Sequence, residues 1–334
     1  MSGKVVAPVF LIPYSSPPRV DDYRPVVNSA GTLAIVERSA VATPNQTHIY
    51  IVDLTDGQIA AVPFLNGSGV PTFSNRPDWC WTTNEVAFNG SSNVKEVNVY
   101  TVGANGTNPT PVPVAGGTLG MNYPVWFPDG LSLAVMNDAT NATPRPNTST
   151  IDLSTNAVTQ ALAGTTYWGG MPSVNPVSPN LIAFAGQTVA SGTTYNQDLN
   201  YIYVMDTSTT PATITTLETF TPNGYNQNYQ GRAPWWSPDG KWVAFESNRA
   251  CPPPANNGSG MYAIFLFEYG VSTTGTQVTD PIYNMNHAKW FPAGFNGNPG
   301  KPALIVAAYQ DQGPTPAWPW GLASLDVSSF VSPS

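Results

Sequence analysis

Along the chain, apolar residues recur at two-residue spacing in short runs, among them His48-Ile-Tyr-Ile-Val-Asp53, Glu96-Val-Asn-Val-Tyr-Thr101, Tyr201-Ile-Tyr-Val-Met-Asp206 and Tyr262-Ala-Ile-Phe-Leu-Phe-Glu268. Runs of this length, bounded by turn residues, predict β-strands. A longer unit recurs around them. Its fullest form is Arg232-Ala-Pro-Trp-Trp-Ser-Pro-Asp-Gly-Lys-Trp-Val-Ala-Phe-Glu-Ser-Asn-Arg249, which reads as a strand, a Ser-Pro-Asp-Gly turn and a second, apolar strand. A second copy runs from Asn122 to Val135, and weaker ones start near Arg76, Pro172 and His287. The first copy, Tyr23 to Val36, keeps the turn and loses the tryptophan.

The six copies are anchored at Pro25, Pro77, Pro124, Pro172, Pro234 and Ala288, so the spacings lie between 47 and 62 residues. Six such units, each with four strand-like runs, predict an all-β chain folded as a six-bladed β-propeller of four-stranded antiparallel blades. A closed ring has no exposed sheet edge. The apolar stretch 5–12 is therefore assigned to the last blade, pairing the N- and C-terminal segments. Residues 1–334 read as one domain, with units starting near 23, 75, 122, 170, 232 and 286. No separate catalytic domain is expected after Leu322-Ala-Ser-Leu-Asp-Val327.

Composition narrows the partners. Charged residues are 10% of the chain and the net charge is −8, with no run of Lys or Arg. Nucleic acid is thus not an expected partner, and without an apolar stretch of 18 residues no membrane span is expected. Two cysteines, Cys80 and Cys251, build neither a disulfide framework nor a paired cysteine metal site. The chain carries no recognisable signal peptide. Its few lysines, with abundant Asn, Thr, Gly and Pro, suggest an extracellular or periplasmic protein. Seven Asn-x-Ser/Thr sequons, at Asn45, Asn66, Asn89, Asn105, Asn141, Asn147 and Asn257, match what so much Asn, Ser and Thr gives by chance.

Pro-x-Trp-Ser-Pro-Asp-Gly-Lys-x-Val-Ala-Phe-x-Ser-Asn-Arg, as it stands in the fifth unit, resembles the TolB-like propeller repeat, as does the Ile-Tyr-Val-Met-Asp strand of the fourth. That resemblance implies a six-bladed propeller whose first motif strand lines a central channel. The family's roles run from binding envelope proteins to gating peptidases and cleaving pectin fragments, so the fold leaves function open. The peptidase role needs a Ser-His-Asp triad on a hydrolase domain, and no Gly-x-Ser-x-Gly elbow occurs. The pectin role uses a histidine-rich metal centre, whereas this chain has only His48 and His287. No cofactor is expected. Calcium is the one ion left open, although Asx turns account for Asp53, Asp56, Asp152, Asp206 and Asp326 at strand ends.

Candidate ligand contacts gather where each unit's inner strand begins. In order these are Tyr23 and Arg24, Asn75 and Arg76, Asn122 and Tyr123, Gly170 and Met171, Arg232, then Asn286 and His287. Arginines recurring at one structural position would make the channel locally basic within an acidic protein. If structural instead, they should pair with Asp21, Asp22 or Asp78. Nearby loops add Trp168, Tyr225 and Tyr229 among asparagines and glutamines. Aromatic faces beside amides are what sugar rings require. The sequence thus predicts a binding module for carbohydrate or a glycan-bearing ligand at the channel mouth. The alternatives are a protein-interaction scaffold that takes an acidic peptide or envelope partner in the channel, and a glycan-active hydrolase or lyase using Asp21, Asp22 or Asp78 with Tyr123 or His287.

Overall fold

The computed structural model describes residues 5–12, 20–40, 46–55, 61–91, 97–118, 120–137, 146–188, 200–217, 230–250, 261–292, 294, 301–309 and 320–331. Within them the strands form six sheets of four antiparallel strands. The inner strands are Val20–Val27, Phe73–Trp79, Met121–Trp126, Tyr167–Val174, Gly231–Trp236 and Met285–Trp290. Each packs against the next, and the last returns to the first, which closes a ring around a channel. Blades 1 to 5 run outward in sequence order. In blade 6 the outermost strand is Val9–Phe10, antiparallel to Gly321–Asp326 with Val9 opposite Ser324. Leu11 N–H extends the join by donating to the Leu322 carbonyl at 2.9 Å. The ring therefore closes as the repeat pattern predicts.

Position in the ring dictates composition. Second strands such as Glu85–Ser91 and Ala303–Ala308 are buried on both faces, because a blade flanks each side. They read as continuous small and apolar residues instead of alternating ones. The outer strand Ala157–Gln160 is exposed throughout. The core lies between blades: Val26 and Ile35 pack with Trp79, Val86 and Phe88 of the next blade, and Val27 and Val36 pack with Phe291 and Ile305 across the closure.

The turns behave as their sequences require. Gly130 and Gly240 of the two Pro-Asp-Gly turns both take φ +70°. A Cβ at Gly240 would stand 2.5 Å from the Asn175 Oδ1 of the neighbouring blade, so only glycine fits. Asp53, Asp152, Asp206 and Asp326 each accept the backbone N–H two residues on, from Thr55, Ser154, Ser208 and Ser328. Asp56 and Cys251 lie outside the described residues, and Cys80 is buried and free. Among the described residues, no helix is long and apolar enough to cross a membrane.

Candidate functional site

Each inner strand slips register once against the second strand of its blade, immediately after Tyr23, Asn75, Asn122, Gly170, Arg232 and Asn286. The first residue of every bulge has a positive φ: Arg24 46°, Arg76 51°, Tyr123 52°, Met171 53°, Ala233 45° and His287 52°. All but His287 precede a proline, which has no N–H to lose where the chain has left the ladder. A bulge re-aims its side chain. Here Arg24, Arg76, Tyr123, Met171 and His287 line a cavity of about 40 Å³ in the channel.

Two positions differ from the sequence reading. The candidate residues lie within the inner strands, which begin upstream at Val20, Phe73 and Met121, and not at their starts. Arg232 does not share the position of Arg24 and Arg76. Ala233 takes the left-handed conformation in blade 5, and a one-residue step in a strand turns the side chain to the opposite face.

The bulge withdraws one N–H from the ladder, and in three places the preceding blade supplies its acceptor. Glu37 Oε2 accepts from Arg76 at 3.2 Å, Asn89 Oδ1 from Tyr123 at 3.0 Å, and Glu246 Oε2 from His287 at 2.6 Å. The same carboxylates hold guanidinium groups. Arg24 Nη1 donates to both Glu37 oxygens at 2.7 and 2.9 Å, and Arg232 Nε donates to Glu246 at 2.7 Å. The aspartates named from the sequence are engaged elsewhere: Asp22 takes Arg38 through two bonds of 2.7 Å, and Asp21 accepts the Trp320 backbone N–H. Asp78 stands 3.5 Å from Lys289 and accepts the Trp126 N–H. The partners of Arg24 and Arg232 are therefore glutamates from the second strands.

Arg76 has no carboxylate partner among the described residues. Its Nη1 donates to Asn122 Oδ1 at 2.5 Å, its guanidinium carbon lies 4.3 Å from the Tyr123 ring centroid, and its Nε is buried without a partner. Arg24, Arg232 and Lys289 each have a carboxylate in Glu37, Glu246 and Asp78. The cluster thus holds one cation in excess.

The titration behaviour follows. Burial, reinforced by Arg24, Arg232, Lys289 and Arg76, holds His287 well below the ordinary imidazole value, so it is neutral at pH 7. Burial pushes the Tyr123 phenol up, but Arg76, Arg24 and Arg232 outweigh it and bring the pKa below its ordinary 10.0. Tyr203 is pushed up to about 12 by burial, then by Tyr167 and Tyr201. An alkaline absorbance titration should therefore show one phenol ionising early, and Tyr123→Phe should abolish that phase. If the variant keeps the phase, the early phenol is not Tyr123. The two groups act oppositely on stability: the Tyr123 contribution is present above the unfolded-state pKa and lost as pH falls through the lowered folded value. That of Tyr203 is present below the unfolded value and lost as pH rises through about 12.

The remaining candidates are spread around this centre. Tyr23 packs edge-on against His287 at 4.7 Å and Trp320 at 5.1 Å, with the Arg24 guanidinium over its ring at 4.8 Å. Asn286 accepts from Arg232, and Asn75 donates to Thr47. Trp168 is half-buried near the start of its strand and does not line the cavity. Tyr225 and Tyr229 lie outside the described residues.

Lys289 was not singled out from the sequence, nor was a second pocket of about 260 Å³ at the strand exits. It is walled by Trp79, Trp81, Trp126, Trp235, Trp236 and Trp290 and shares Lys289 and Trp235 with the smaller cavity. The signal was the repeat itself, since Trp79, Trp126 and Trp236 stand two residues after Pro77, Pro124 and Pro234, and Trp290 stands two after Ala288 at the same place in the last unit. Among the described residues, no group of three or more His, Cys, Asp or Glu is placed to hold a metal ion.

No family model matches the chain, and no curated protein matches it. Solved structures do. A candidate TolB from Agrobacterium tumefaciens superimposes with a TM-score of 0.56 at 15% identity, over 80% of this chain and 85% of that one. TolB from Acinetobacter baumannii gives 0.52 at 16%, over 92% of this chain and 63% of that one. An oligogalacturonate lyase in complex with manganese gives 0.54 at 15%, over 99% of this chain and 81% of that one. Likeness at such identity concerns architecture, and the architecture it shows is that of the TolB-like six-bladed β-propellers.

Proposed function

We propose that this propeller is a non-catalytic binding module whose channel receives the carboxylate groups of an acidic ligand, in the first place an acidic peptide segment of a protein partner. One observation carries the reading: Arg76, in a chain of net charge −8, faces the channel cavity without a carboxylate partner among the described residues. Electrostatic focusing in a cleft of one sign draws in the opposite charge. The aromatic groups offered for sugar stacking are partly taken up, since guanidinium groups lie over the Tyr23 and Tyr123 rings. The TolB resemblance, which implies protein binding, points the same way.

A second reading keeps the carbohydrate. The neighbour named for oligogalacturonate acts on a sugar that itself carries carboxylates, and a uronate would meet the same cations. Both readings are tested by titrating the protein with an acidic peptide, its amidated neutral counterpart, an oligogalacturonate and a neutral oligosaccharide, each at two salt concentrations. Salt-sensitive binding of the acidic peptide, weakened at least tenfold by Arg76→Ala, is expected, since a charge-assisted contact is worth about 1.5–3 kcal/mol. Binding of oligogalacturonate alone would select the second reading. Salt-insensitive binding of the neutral sugar, lost in Tyr225→Ala with Tyr229→Ala and kept in Arg76→Ala, would overturn both.

A further inference from the structure

We infer that the constriction of the channel holds a resident small anion, a halide or a single carboxylate, seated between Arg76, Tyr123 and His287. Volume is the first argument. One water needs about 10–15 Å³ and this cavity holds about 40 Å³, so there is room for a halide with a water or for one carboxylate group. Charge is the second. Arg24, Arg232 and Lys289 are balanced by Glu37, Glu246 and Asp78, which leaves the half-buried Arg76 guanidinium as surplus in the channel. An unpaired charge partly withdrawn from water is unfavourable, and a counter-ion offsets that.

The third argument is unmet hydrogen bonding. His287 is only 6% exposed, lines the cavity, and leaves Nε2 buried with no partner; Arg76 and Arg24 each leave Nε in the same condition. Buried polar atoms are nearly always satisfied, and these three belong to side chains that line one cation-rich cavity. A neutral imidazole N–H beside guanidinium N–H groups suits a monovalent anion. A metal cation would meet the charges of Arg24, Arg76 and Lys289.

The inference rests on the reading of the channel as a cation-rich binding site, but the two can fail separately. The probe is bromide, compared with the sodium salt of a bulky sulfonate at equal ionic strength. The charges around Tyr123 are those of Arg76, Arg24, Arg232 and Glu37, so an anion seated there should raise its ionisation by about one pH unit. Bromide is expected to produce that shift and the sulfonate is not. Crystals grown in bromide should show one anomalous peak between Arg76 and His287. In Arg76→Met the bromide shift should vanish; should that variant not fold, Arg76→Lys, which keeps the charge but loses the fork, should weaken it. An equal shift with both salts, a shift retained in Arg76→Met, or no peak at the constriction would each overturn the resident anion. Acidic-peptide binding without any bromide effect would remove this inference and leave the proposed function standing. The reverse result would do the opposite.

Discussion

Glu246→Ala is expected to lower the free energy of unfolding by about 3–5 kcal/mol, the loss seen when one member of a buried ion pair is removed. Glu246 has no exposed side-chain surface, and it serves two clients in two blades. Within its own blade it neutralises Arg232, through contacts at 2.6 and 2.7 Å. Across the blade boundary it accepts the His287 N–H that the bulge has removed from the ladder. Alanine leaves a guanidinium uncompensated and a buried N–H without an acceptor. Glu246→Gln keeps an acceptor of the same shape without the charge, so its loss should be clearly smaller. Urea denaturation of the three proteins decides the matter. Equal losses for Ala and Gln would mean that charge alone matters and the interblade hydrogen bond does not; no loss in either would show that the clamp is dispensable.

That clamp also shows where the sequence stopped being readable. The repeat period, the blade count, the closing strand and the Asx turns at Asp53, Asp152, Asp206 and Asp326 follow from local patterns: strand alternation, turn chemistry and the need to close an edge. The bulges do not, because a bulge changes pairing without changing composition. Arg24 and Arg76 directly precede Pro25 and Pro77, but Arg232 stands two residues before Pro234. The proline anchors themselves put Ala233, and not Arg232, in register with Arg24 and Arg76, so grouping the three arginines at one position went against the repeat's own spacing. Glu37 and Glu246 were missed for a related reason. Their roles depend on which residue of the next blade has lost its ladder partner, a relation between units some 40 residues apart. Aspartates close in sequence looked like better partners, yet Asp22 is taken by Arg38, directly opposite it on the second strand.

The repeat nevertheless contains its own controls, and they give the second large prediction. The residue after each bulge is Val26, Asp78, Val125, Ser173, Trp235 or Lys289. Asp78 and Ser173 do the same interblade work, accepting the N–H of Trp126 at 2.8 Å and of Trp236 at 3.1 Å. Of the two, Asp78 alone carries a charge, and among the described residues it is Lys289, on another blade, that answers it at 3.5 Å. Both are largely buried, with side chains 5% and 12% exposed. Burial pushes Asp78 up and Lys289 down in pKa, each shift opposed by the partner's charge, so either group left alone would be costly. Lys289→Val, the residue that blades 1 and 3 already use at this position, is therefore expected to cost about 3–5 kcal/mol by stranding Asp78. Adding Asp78→Ser should recover most of that loss, because the serine of blade 4 shows that a neutral hydroxyl suffices for the tryptophan N–H, and replacing a buried pair by neutral groups is often close to neutral. A double variant as unstable as Lys289→Val alone would mean that lysine stabilises the ring through its contact with the Trp235 face, 3.7 Å away, and not through Asp78. The aspartate–lysine pair would then be read as polar chemistry kept at the junction of the two cavities at no gain to the fold, and the tryptophan-walled pocket as the place to look for its use.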